Sequence, residues 1–67
     1  MKIGEHIAAK RKESKLSQEE LADRLNVARQ TVSSWERDIL MPGSKYLIAM
    51  AGVFGCSLDE LVNQNPM

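Results

Sequence analysis

Apolar residues along this chain recur at three- and four-residue intervals, the spacing that gathers them on one side of an α-helix. Ile3, Ile7 and Ala8 share a face of a first helix that runs to about Ser14. Leu21, Ala22 and Leu25 mark a short second helix, and Val32 and Trp35 a third over about Ala28–Arg37. The clearest stripe is Leu47, Met50, Ala51 and Phe54, followed by Leu58, Leu61 and Val62 on a fifth. No segment of four or more residues alternates in the manner of a half-buried strand. The pattern predicts an all-α fold, a compact five-helix bundle.

Polar punctuation supports the same division. Ser17 with Glu20, and Ser57 with Glu60, have the spacing of a capping box, in which hydroxyl and carboxylate each satisfy a free amide. Pro42-Gly43-Ser44 breaks the chain and is expected to cap the fourth helix, which Gly55 ends. Between the second and third helical patterns stand only Asn26 and Val27, so the two helices must cross sharply. Asn tolerates the left-handed backbone that such a turn requires, and the small Ala22 lets the axes approach. That spacing predicts a helix-turn-helix. One domain is expected over residues 1–67, with 63–67 a frayed tail.

Composition narrows the function classes. Sixty-seven residues are room for one small domain, and an aromatic content of 4% leaves the core to aliphatic side chains. There is neither an 18-residue apolar run nor the apolar core of a secretory signal, so a cytoplasmic protein without membrane contact is expected. A lone cysteine and a lone histidine offer no metal site, and no glycine loop cradles a phosphate; no cofactor, metal or enzymatic step is expected. Net charge is zero, unlike most nucleic-acid binders. Its distribution is uneven, with eight Lys/Arg against six Asp/Glu in residues 1–37 and one against three in residues 38–67.

Residues 17–36 read SQEELADRLNVARQTVSSWE. This segment closely resembles the Xre/Cro-type helix-turn-helix family of bacterial and phage repressors. The matching frame is Ser17, Gln18, Leu21, Ala22, Leu25, Val27, Val32, Trp35 and Glu36. The flanks IGEHIAAKRKESKLSQ and FGCSLDELV look like the family's first and fifth helices, so the resemblance spans roughly residues 3–62. It implies a lambda-repressor-like DNA-binding domain, with double-stranded DNA as partner and the third helix in the major groove. A groove of that width admits one helix, and its base edges differ for every base pair.

With Val32 and Trp35 on the buried face, Arg29, Gln30, Ser33 and Ser34 point elsewhere. Carried over from the family, Arg29, Gln30 and Ser34 occupy base-contacting positions; Arg suits guanine and Gln adenine. Gln18 opens the second helix, where free amides favour a phosphate, and in the family it also buttresses the recognition helix. Lys10, Thr31, Ser33, Arg37 and Lys45 are further expected phosphate contacts. Arg11 falls on the Ile3/Ile7 face, odd for a charge. The resemblance assigns it a structural ion pair with Glu36.

Some positions depart from the family. Asn26 and Asp38 stand where glycine is usual, and Asp38 brings a negative charge near the expected DNA backbone. Ala28 replaces a capping Ser or Thr. Ile39-Leu40-Met41 is apolar where a loop is expected, which suggests either a lid over Trp35 or a homodimer surface shared with Ile48 or Val53. A dimer suits a near-palindromic operator. His6 is expected to be solvated, Cys56 a small buried hydrophobe, and Met41 and Met50 fillers. Alternatives to a repressor are an antitoxin or adaptor that binds a protein partner, and the DNA-reading domain of a larger regulator.

Overall fold

A computed structural model describes residues 3–62. The helices are α1 (Gly4–Glu13), α2 (Gln18–Leu25), α3 (Arg29–Glu36), α4 (Ser44–Phe54) and α5 (Leu58–Val62). Among the described residues there is no strand. The expected tail at 63–67 lies outside them. Packing centres on α2 against α3; α1 also packs on α3, and α5 contacts both α1 and α4.

Five large side chains are fully buried, and each comes from a different helix: Ile7, Leu21, Val32, Met50 and Leu61. Each such burial stabilises by about 1.5–3 kcal/mol. No helix this short is stable in water without the others. Ile3, Ala22, Leu25, Trp35 and Ala51 complete the core, and the Trp35 and Tyr46 rings, 5.4 Å apart, tie α3 to α4.

Both capping boxes form, Ser17 with Glu20 and Ser57 with Glu60. The fourth helix differs from expectation: Gly43 takes the cap position with no side chain to offer, and Ser44 is already inside the helix. Left-handed residues follow the helices at Lys15, Asn26, Asp38 and Gly55, only one of them glycine. After α3 the Asp38 amide donates to the Trp35 carbonyl and the Ile39 amide to that of Ser34, the paired bonds of a Schellman ending.

The apolar loop is no lid. Ile39, Leu40 and Met41 are 59%, 54% and 67% exposed, so Met41 fills nothing, whereas Met50 is fully buried. Ile48 is also exposed, while Val53 is half-buried and packs against the core. Leu58 is exposed despite its place on the apolar pattern, because a five-residue helix buries little more than Leu61. Cys56 packs half-buried on the core. His6 is half-buried rather than solvated, and its Nδ1 lies inside with no hydrogen-bond partner among the described residues.

Candidate nucleic-acid interface

The turn that aims α3 is built from local bonds. Asn26 adopts φ 61°, ψ 45°, its amide donates to Asp23, and the Val27 amide returns to the Ala22 carbonyl at 3.0 Å. Ala22, nearly fully buried, lets the helices meet. Helix α3 leaves this turn with Val32 and Trp35 on the core. That orientation sends Arg29 and Gln30, in the first turn of α3, into solvent. Thr31, Ser33 and Ser34 are half-buried, and the Ser34 carbonyl is occupied by the Ile39 and Leu40 amides.

Ala28 caps α3 with no side-chain hydrogen bond. The first amides of the helix therefore keep their donors, at the positive end of the helix dipole. Two exposed side chains rich in donors stand at that same end. Such a tip can approach an anionic backbone and reach past it to base edges.

Behind the tip runs a chain of polar contacts through three helices. Arg11 of α1 donates from Nε to Glu36 Oε2 at 2.6 Å and from Nη2 to Glu36 Oε1 at 3.2 Å. Its Nη1 donates to the Leu16 carbonyl at 2.8 Å. Gln18 of α2 donates from Nε2 to Glu36 Oε1 at 3.0 Å, and its Oε1 accepts from Arg29 Nη1 at 3.2 Å. One glutamine thus joins the C-terminal end of α3 to the guanidinium at its start. Because Gln18 uses both ends of its amide, its orientation is fixed by charge on each side.

The other expected contacts scatter. Arg37 and Lys45 are exposed, and the Lys45 ammonium sits 5.4 Å from the Tyr46 ring centre. Lys10 has acidic company instead: its ammonium is 3.8 Å from Glu13, and it helps to lower the Glu60 carboxyl. The principal cause of that lowering is the Ser57 backbone amide, which donates to Glu60.

Two contributors escaped the sequence reading. The Leu16 carbonyl is the third acceptor of Arg11, a backbone role with no residue signature. Asp38 does not simply add negative charge near the interface. Its Oδ1 accepts from the Gly4 amide at 3.0 Å, across 34 residues, and so caps α1. No spacing rule reaches that far.

Among the described residues no three His, Cys, Asp or Glu side chains gather where they could hold a metal ion. No described helix is long and apolar enough to cross a membrane.

Comparison with known proteins places these features in a wider set. The helix-turn-helix family model matches residues 7–61. The chain is 36% identical over 67 residues to the immunity repressor protein of Bacillus phage phi105, covering all of this chain and 46% of that protein. It is 42% identical over 55 residues to the HTH-type transcriptional regulator DicA of Escherichia coli, covering 82% of this chain and 41% of DicA. The chain thus spans less than half the length of these relatives. Among solved structures it is similar to the P22 c2 repressor in complex with a synthetic operator. The TM-score is 0.87 at 32% identity, covering 97% of this chain and 98% of that one.

Proposed function

The chain belongs to the helix-turn-helix family, in its Xre/Cro-like branch, and from that premise we propose that it is a sequence-specific DNA-binding transcriptional repressor. The observation that carries the reading is the start of α3, where Arg29 and Gln30 are exposed beside free amides while Val32 and Trp35 hold the opposite face in the core. The P22 c2 repressor, so similar in backbone, is bound to operator DNA. In the proposed complex α3 enters the major groove of double-stranded DNA. Arg29 holds the two acceptors of a guanine, Gln30 pairs with an adenine, and Ser34 approaches a third base.

Gln18, Thr31, Ser33, Arg37 and Lys45 are the proposed phosphate contacts. Lys10 adds least, because Glu13 already takes part of its charge. Arg11 and Glu36 act behind the surface as a structural pair. Binding needs no cofactor and no catalysis; occupancy of the site excludes polymerase. Residues 3–62 form the DNA-reading unit, in a cytoplasmic protein.

A homodimer completes the proposal. Ile39, Leu40 and Met41 follow directly after α3 and present apolar surface that the monomer leaves uncovered. A two-fold pair joined there sets two recognition helices about 34 Å apart, one turn of DNA. The same surface supports a second reading, in which it seats a different protein, as in an antitoxin or adaptor.

Selection from random duplex DNA at two salt concentrations tests the proposal. Paired half-sites about one turn apart support the dimeric repressor, with binding that weakens by about 0.9 logarithmic units per phosphate contact for each tenfold rise in salt. Unpaired half-sites support reading by a monomer. No enriched sequence at either salt favours the protein-binding role.

A further inference from the structure

Helix α1 meets α3 end to end. The start of α1 faces the Trp35 and Glu36 carbonyls at the end of α3, so the positive end of one helix dipole abuts the negative end of the other. The approach is close enough to demand glycine: a Cβ on Gly4 would lie 2.4 Å from the Glu36 carbonyl oxygen and 2.7 Å from that of Trp35. Asp38 closes the junction. Its backbone takes the left-handed turn at φ 59°, which throws its side chain back, and Oδ1 accepts the Gly4 amide at 3.0 Å.

Resting on the DNA-binding reading above, we infer that Asp38 is a positioning residue for the recognition helix, acting through Gly4. Helix α1 grips the end of α3 twice, once at Gly4 through Asp38 and once at Arg11 through the Glu36 carboxylate. Core packing of Val32 and Trp35 sets the coarse crossing of α3, and with one grip alone its end keeps some freedom to tilt. Two grips on one rigid helix define a direction. The eight residues of α3 make a lever about 12 Å long, so a tilt of about 10° at its C-terminal end moves the Arg29 end by about 2 Å. Base recognition tolerates roughly 0.5 Å. The negative charge of Asp38 is incidental to this role; the acceptor oxygen and the left-handed backbone are what matter.

Two substitutions separate the acceptor from the charge. Asp38→Asn removes the charge but keeps an acceptor oxygen and a residue that tolerates the left-handed region. Asp38→Gly removes the same charge and the acceptor, while glycine relieves the backbone strain and so offsets the lost cap in stability. DNA affinity is measured for both at a temperature where both are fully folded, together with amide hydrogen exchange of free protein. The expected result is an affinity for Asp38→Gly about fivefold below that of Asp38→Asn, the equivalent of one modest hydrogen bond. The Gly4 amide and the first turn of α3 exchange faster in Asp38→Gly alone.

Equal affinity of the two variants overturns the inference. If the unaltered chain selects no DNA, the repressor reading fails, and exchange then decides the positioning role by itself. Faster exchange at the start of α3 in Asp38→Gly supports it, and identical exchange in both variants overturns it.

Discussion

Glu36 is held by Arg11 through two roughly parallel N–H···O bonds, of 2.6 and 3.2 Å, with side chains only 7% and 11% exposed. Water cannot replace either partner at such burial, so each charge depends on the other. Arg11→Met is expected to destabilise by about 3–5 kcal/mol, a large part of what holds a small domain folded. The double change Arg11→Met with Glu36→Leu should cost less than either single change, because no unpaired charge remains. Urea unfolding of the three variants checks both statements. Equal or greater loss in the double variant contradicts the account.

Arg29 stands in solvent and donates to Gln18, away from the core, so its loss leaves the core intact. Replacing it with alanine should change stability by less than about 0.5 kcal/mol. Discrimination at one base pair should fall by about 1–3 kcal/mol, which is roughly 5- to 150-fold. Competition binding with single-base operator variants measures it. Unchanged preference at every position removes Arg29 from the reading set.

Two positions carry avoidable local cost. Lys15 is left-handed at φ 61° with a full side chain, and Ala28 caps α3 with no side-chain acceptor for its first amides. Lys15→Gly should stabilise by about 0.5–1 kcal/mol, the left-handed penalty less the added chain entropy of glycine. Ala28→Ser should add about 1 kcal/mol. For a domain of this size each kcal/mol raises the melting temperature by about 4–8 °C, readable by circular dichroism. A fall in melting temperature for either variant argues against the stated cause.

The start of α5 should respond to acid. The Ser57 amide, aided by Lys10 and the Ser57 hydroxyl, holds the Glu60 carboxyl below its ordinary 4.5 in the folded chain. A carboxyl lowered on folding contributes stability that is present above its unfolded value and lost as pH falls through the folded one. Protection of the Ser57 amide should therefore decline below about pH 4.5, the ordinary value. Glu60→Gln should flatten that decline, as followed by amide exchange against pH.

Leu40 is 54% exposed and belongs to no core contact. Leu40→Lys should leave the fold unchanged and place like charges across a two-fold interface. Binding to a paired site should weaken while binding to a single half-site persists. Titrations on both DNAs, with sedimentation of the free chain, distinguish this from a loop that takes no part in pairing.

The helices, their order and most of their ends follow from interactions within a turn or two of chain. The apolar spacing, both capping boxes and the left-handed Asn26 are local, because the partners lie at most five residues apart. The helix-turn-helix and its exposed first turn were readable on the same basis, and the Arg11–Glu36 pair through the family resemblance. What spacing could not supply lies between elements. That Asp38 accepts the Gly4 amide, that Gln18 spans Glu36 and Arg29, that Lys10 sits beside acids and that Ile39 to Met41 stay uncovered all depend on how the helices cross. Crossing angles are set by the five-way packing of Ile7, Leu21, Val32, Met50 and Leu61, a property of the assembled core that no single segment contains.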